Sequence, residues 1–357
     1  MRVFALQLLC VCLITLFLPF GKVNAQAREY FLTRPDTHKY AVIFGGAAAG
    51  ETYEQRFRQW SLKLYESLAG DYGYPPDHIT LLLGRGDPEE TRIAGACRLE
   101  TILEAMDALR KKVRPGDQLL FLFVGHGTSD DQEAKFVIVG PDLTGAKFAE
   151  ILRAFSEQDI IVVNTTSSSQ PFCNALSAPG RVIVCATRSA AERYDTIFPQ
   201  FLLEALENRA ADRDKNRRVS AFEAFYYARE KVNRWYTDQD RLPSEHPTLD
   251  DSGDGLFDTD PEPGKDDGRL AQIAYVDPLS AFLPDAIAAG PGSDTLRELT
   301  AKAQVLERSV MLLRNQKAEV SAKDYWQQME PLLIELARTN RRLKTLQAAL
   351  EKWRWGK

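Results

Sequence analysis

The chain has 357 residues, of which 44% are hydrophobic and 27% charged, with a net charge of −5. This is ordinary globular composition, enough chain to bury one large core or two smaller ones. The acidic balance excludes nucleic acid as a partner recruited by bulk charge.

The chain opens with basic Arg2, an apolar run from Val3 to Phe20, and small residues Val23 and Ala25 at the −3 and −1 positions of a cleavage site. A signal peptide cut after Ala25 is expected, and with it export to a periplasmic or extracellular space. The alternative is an uncleaved anchor, since a run of about 18 apolar residues nearly spans a bilayer. Cleavage removes Cys10 and Cys12 and leaves Cys97, Cys173 and Cys185. An odd count does not make a disulfide scaffold, and Cys185, inside the run Val182–Ala186, reads as a small buried hydrophobe.

Five short apolar runs bounded by turn residues then follow as expected strands: Tyr40–Phe44, Ile79–Leu83, Leu119–Val124, Ile160–Val163 and Val182–Ala186. Segments with helical apolar spacing lie between them, such as Thr52–Leu68 and Leu99–Lys112. Continuous apolar strands alternating with helices predict an α/β fold, a mostly parallel sheet sandwiched by helices, spanning residues 28–238. In such sheets, sites form outside the carboxyl ends of the strands. Those ends include Gly125-His126-Gly127 and the hydroxyl row Thr165–Ser169.

Residues 239–290 are rich in Asp, Gly and Pro without apolar periodicity and read as an acidic excursion. From 291 to 357 the pattern is helical: Leu299, Ala303, Leu306, Val310 and Leu313 make one four-three repeat, and Met329, Leu332, Leu336, Leu343, Leu346, Leu350 and Trp353 another. An antiparallel helical hairpin or short coiled coil is expected, turning over Lys317–Ala322, and it offers a route to oligomers. Residues 294–357 carry 13 Lys and Arg against 8 Asp and Glu, so this tail is basic and the remainder acidic. Solvated helix faces account for that asymmetry, with docking on an acidic partner or membrane surface as the weaker alternative.

Two motifs are decoys, and one is missing. Gly45-Gly-Ala-Ala-Ala-Gly50 has phosphate-loop glycine spacing, but Glu51 stands where that loop needs Lys, so no nucleotide is expected. Asn164-Thr-Thr166 is a glycosylation sequon at the end of a buried strand, out of a glycan's reach. No Gly-x-Ser-x-Gly elbow occurs, which excludes that route to esterase or lipase chemistry.

The order strand, helix, strand, helix, then Arg114-Pro-Gly-Asp-Gln118 leading into Leu119-Leu-Phe-Leu-Phe-Val-Gly-His-Gly127, with an apolar strand ending in small polar residues about forty residues on, resembles the legumain and caspase clan of cysteine peptidases. The resemblance spans roughly residues 38–235 and implies a caspase-like sheet with a His-Gly pair ending one strand and a Cys, usually followed by x-Ser-Gly, ending the next. His126 matches the histidine. Setting Ser169-Gln170 against Ser-Gly puts Ser167 at the nucleophile, and holding strand length fixed puts Thr166 there; neither register supplies a cysteine. A hydroxyl is far harder to ionise than a thiol, so beside a histidine placed for a thiolate it makes a poor nucleophile. The leading expectation is a non-catalytic pseudo-peptidase that binds a peptide or protein. The alternative is an active hydrolase with Ser167 or Thr166 as nucleophile and His126 as base.

Two acidic loops have calcium-ligand spacing. Asp212, Asp214, Asn216, Ser220 and Glu223 occupy positions 1, 3, 5, 9 and 12 of a calcium loop, with Arg217 where the sharp turn wants Gly. Ser220 and Glu223 equally make a helix capping box. Asp250, Ser252, Asp254 and Asp258 keep Gly255 at position 6 but have Pro261 at position 12. Structural Ca²⁺ is the expected cofactor, with an ordinary Asp-Gly turn as the competing account of the second loop.

Overall fold

The computed structural model describes residues 28–130, 133–264, 266–278 and 292–355; the expected signal segment lies outside these. In chain order the elements are β1 (Lys39–Gly45), α1 (Glu51–Gly70), β2 (Ile79–Leu83), β3 (Ile93–Gly95), α2 (Leu99–Lys112), β4 (Gln118–Val124), β5 (Gly127–Ser129), β6 (Ala134–Phe136) and β7 (Leu143–Thr144). They continue with α3 (Gly145–Leu152), β8 (Asp159–Asn164), α4 (Ser169–Asn174), β9 (Arg181–Cys185), α5 (Phe198–Leu206), α6 (Ala221–Asp238), β10 (Thr248–Asp250), α7 (Ser293–Asn315) and α8 (Ala322–Trp355).

Seven strands form one sheet in the order β10-β9-β8-β4-β1-β2-β3, and only β10 runs antiparallel to its neighbour. The fold is therefore α/β, a mostly parallel sheet flanked by helices. The alternation along each strand sorts side chains to two cores. Ala41 and Ile43 of β1 and Leu120, Leu122 and Val124 of β4 face the layer built by α1, α5 and α6. Tyr40, Val42 and Phe44, with Leu119, Phe121 and Phe123, face α2, α3 and α4. Both sets are buried because both faces are covered, which is why these strands read as unbroken apolar runs. In the second core Phe123 meets Phe44, Phe136, Phe148 and Phe172 with ring centroids 4.8–5.4 Å apart.

The acidic excursion contributes the antiparallel edge strand. Thr248–Asp250 pairs with Ile183–Cys185, and Leu249 exchanges backbone hydrogen bonds with Asp258 at 2.9 Å in both directions. Three residues are too few to show periodicity, so only the pairing marks them as a strand. The small β5-β6-β7 sheet, also without a sequence signal, follows His126 directly. The C-terminal helices pack antiparallel: Leu296 at the start of α7 meets Leu343, Leu346 and Leu350 of α8, while Leu313 near its end meets Tyr325 and Met329. Arg308 of α7 donates to the Tyr30 carbonyl at 3.1 Å, and Met311 and Leu312 pack on the α1/α5/α6 core. No helix among the described residues is long and apolar enough to cross a membrane.

Candidate functional site

Strands β4 and β8 are adjacent and parallel, with Phe123 opposite Asn164. Their carboxyl ends therefore emerge side by side, and this brings His126 and the row Thr165–Ser169 to one edge of the sheet. The two ends are joined directly, since the Phe123 carbonyl accepts from Thr165 N at 3.1 Å and from Thr165 Oγ1 at 2.6 Å.

Every hydroxyl of the row is engaged by protein. Thr166 Oγ1 donates to Asn164 Oδ1 at 2.8 Å, and Ser167 Oγ to the Gly127 carbonyl at 3.0 Å. Ser168 Oγ donates to the Ala190 carbonyl at 3.1 Å, and Ser169 Oγ pairs with Thr187 Oγ1 at 3.0 Å. All five residues are at most 6% exposed. Ser168 has a φ of +48°, a left-handed conformation that a residue with a side chain adopts at a cost, held here by Ser168 N donating to the Glu192 carbonyl at 2.8 Å. Gly127 is needed where it stands: a Cβ there would lie 2.1 Å from the Ser167 carbonyl oxygen and 2.5 Å from Thr166 Oγ1. Thr166 and Ser167 thus both pack on the His-Gly turn. The hydroxyl row is a satisfied strand end, as short polar side chains near free backbone groups tend to be.

His126 sits between aromatic rings, edge-to-face with Tyr53 at 4.7 Å and Phe57 at 4.9 Å. Its Nδ1 lies 3.6 Å from Asp195 Oδ1, while Asp195 Oδ2 accepts a short hydrogen bond from Tyr53. Nε2 is buried without a hydrogen-bond partner. Burial pushes the imidazole pKa below its ordinary value; the Asp195 carboxylate opposes that shift and the Arg56 guanidinium adds to it. The imidazole is therefore aimed at a carboxylate on one side and sealed on the other, with no hydrogen bond to Thr166 or Ser167.

Asp195 and Tyr53 were not singled out by sequence pattern. Asp195 follows β9 by ten residues in an irregular loop, and only the adjacency of β8 and β9 carries that loop back to His126. The loop is stitched to the hydroxyl row by Thr196 Oγ1, which donates to the Thr165 carbonyl at 2.6 Å. The decoy glycines serve the turn from β1 into α1: a Cβ at Gly46 would meet the Val137 carbonyl at 2.5 Å, and Gly50 has a φ of +99°. That turn borders a cavity of about 230 Å³ that shares Phe57 with the histidine's surroundings. Asn164 is 1% exposed, which closes it to a glycan.

The first acidic loop brings three of its carboxylates together. Ligand oxygens of Asp212, Asp214 and Glu223 all lie within 4.8 Å of one another, and Asn216 Nδ2 donates to Asp214 Oδ2 at 3.0 Å. Arg217 takes the left-handed turn itself, with a φ of +67°. Asp212 Oδ1 is buried and unpaired. The capping box is also formed, with Ser220 Oγ accepting from Glu223 N at 3.2 Å and Glu223 Oε2 accepting from Ser220 N at 2.9 Å. Burial raises the Glu223 pKa. Arg218 turns its guanidinium onto the Tyr275 ring, 3.5 Å from the centroid. Oxygen donors, two of them carboxylates outside the capping box, fit a hard cation such as Ca²⁺.

The carboxylates of the second loop accept from its own backbone, as Asp212 Oδ2 does from Arg217 N at 2.9 Å and Asp214 Oδ1 from Asn216 N at 3.0 Å in the first. Asp250 Oδ1 accepts from Gly253 N at 2.9 Å, Asp254 Oδ1 from Leu256 N at 2.8 Å, and Asp258 Oδ1 from Asp260 N at 2.8 Å. Ser252 Oγ donates to Asp250 Oδ1 at 3.3 Å. Among the described residues, Asp250, Asp254 and Asp258 form no converging group of the kind Asp212, Asp214 and Glu223 make. Asp250 is buried, as are Asp251 and Asp267, which cap backbone N–H groups of Gly268 and Ala271, and of Asp251 and Ser252.

The sequence matches no known family profile and no curated protein. Among solved structures, the chain is similar to a structural-genomics target protein from Geobacter sulfurreducens, with a TM-score of 0.39 and 12% identity over 63% of this chain and 95% of that one. It is also similar to the Drosophila initiator caspase Dronc, with a TM-score of 0.37 and 9% identity over 59% of this chain and 79% of that one. These are backbone likenesses at identities too low to transfer chemistry.

Proposed function

We propose that the chain is an exported, caspase-like pseudo-peptidase that binds a peptide or protein segment at the carboxyl edge of its sheet without cleaving it. One observation carries this reading: the hydroxyls of Thr166 and Ser167 are donated to Asn164 and Gly127, and His126 presents no nitrogen to either of them. Acyl transfer by a hydroxyl requires a base within hydrogen-bond reach of it, and an unassisted hydroxyl stays protonated at neutral pH. The resemblance in sequence to the legumain and caspase clan, with Cys replaced, supports the same loss of chemistry. Arg2, the apolar run and the Val23-Asn-Ala25 site support export.

The test is a diverse peptide library incubated with wild type, His126→Ala, Ser167→Ala and Thr166→Ala, with and without calcium, and read by mass spectrometry. No cleavage by any of the four is expected. Cleavage by wild type that disappears in His126→Ala and in one hydroxyl variant would establish a hydroxyl-dependent hydrolase and overturn the proposal.

A further inference from the structure

We infer that α8 is a self-association surface, on which a second copy of this chain packs antiparallel against the face bearing Trp326, Leu333 and Ile334. These side chains are 57%, 42% and 43% exposed, although the opposite side of the same helix is occupied by α7. Spacings of seven and eight residues put them on one stripe of a helix with 3.6 residues per turn, and Glu330 and Ala337 complete that stripe. Scattered single apolar residues on a surface need no explanation, but a stripe repeated over two turns beside an existing helical seam matches the geometry of a further helix–helix contact.

The charges on α8 choose the occupant. On the stripe itself Glu330 lies in the amino-terminal half and Arg341 and Lys344 in the carboxyl-terminal half, while Glu335, on the other side of the helix, is paired with Lys302 of α7. A parallel copy sets like charges against like. An antiparallel copy related by a two-fold axis near Ala337 sets Glu330 of each chain opposite Lys344 of the other. It also sets Trp326 opposite Ala348, a large side chain against a small one, and Leu333 opposite Arg341, whose apolar stem can lie along it. Residues exchanged by a two-fold axis meet twice, so each favourable pairing is counted twice in the dimer. A helix whose two halves have opposite charge is complementary to itself in this one orientation.

Light scattering on the purified protein across about 1–100 μM, the range of modest helical interfaces, tests this. Wild type is expected to approach twice the monomer mass. Leu333→Glu should raise the dimer dissociation constant more than about tenfold, since it places a carboxylate in the apolar stripe. Glu330→Lys and Lys344→Glu, both at exposed positions that leave folding untouched, should each weaken the dimer alone and restore it when mixed. A monomeric mass throughout the range overturns the proposal, as does a dimer indifferent to Leu333→Glu. Failure of the mixed charge variants to restore the dimer overturns the antiparallel arrangement. Monomeric protein that sediments with phosphatidylglycerol vesicles, and loses this with Leu333→Glu, assigns the face to lipid and overturns it equally.

Discussion

Lys39 stands at the start of β1, 7% exposed, with its Nζ donating to the Tyr275 carbonyl. Burial lowers its pKa from 10.5 to about 7; the nearby Arg218 guanidinium lowers it further, while Asp277 and Asp159 partly offset these effects. The unfolded chain keeps this lysine protonated up to its ordinary value, while the folded chain releases the proton above about 7. Between those limits the unfolded state binds more protons, so stability rises with pH across the window and the penalty is complete below it. At about 1.4 kcal/mol per pH unit the penalty is about 5 kcal/mol at its upper limit. Lys39→Met keeps the length and apolar stem and removes the charge. The Tyr275 carbonyl still accepts from Gln118 Nε2 at 2.9 Å, so the loss is one hydrogen bond, worth about 1 kcal/mol. Urea unfolding followed by tryptophan fluorescence at pH 6 should show the variant more stable by several kcal/mol, with the advantage shrinking toward pH 10. Glu245 and Asp251 act in the opposite sense, because burial raises each to about 7. The folded state holds their protons longer than the unfolded state, and the stability they contribute falls as pH rises to that value. Their opposing trend is complete by about pH 7, below the window in which Lys39 acts. A variant no more stable than wild type at pH 6, or a wild-type stability that stays flat from pH 7 to 10, refutes the reasoning.

Two further outcomes follow from the site and the first acidic loop. Asp195→Asn removes the carboxylate that opposes the downward shift of His126, so nuclear magnetic resonance titration should find the imidazole pKa lower in the variant; an unchanged or higher value would show that the pair at 3.6 Å carries no charge interaction. Calcium at about 100 times its dissociation constant should stabilise the chain by about 2.7 kcal/mol, seen as a raised Tm relative to chelator. Asp212→Asn should abolish that increment, whereas Asp254→Asn should leave it intact. No change in Tm at about 1 mM calcium, the range of weak extracellular sites, would reduce the loop to its capping role.

The sheet's five long strands and its main helices were legible because burial on both faces leaves an unbroken apolar run, a signal that needs no knowledge of neighbours. Leu99–Lys112 is bounded as its spacing indicates, and the helical pair follows its four-three repeats. His126 could be singled out because a histidine directly after such a strand is visible in one dimension. The three-residue strand β10 and the β5-β6-β7 sheet could not be read, since pairing rather than periodicity makes them. The state of the hydroxyl row was open in the sequence for the same reason. A serine beside a histidine strand is a nucleophile or a cap depending on where its proton points, and that direction is set by Gly127, Ala190 and Thr187 on other strand ends and loops. Asp195 reaches His126 only through the adjacency of β8 and β9, and the two acidic loops, alike in spacing and both turned onto their own amides, differ because among the described residues only the first also gathers its carboxylates. Composition and periodicity determine which segments are buried; which polar atom faces which is decided only when distant strand ends meet at one edge.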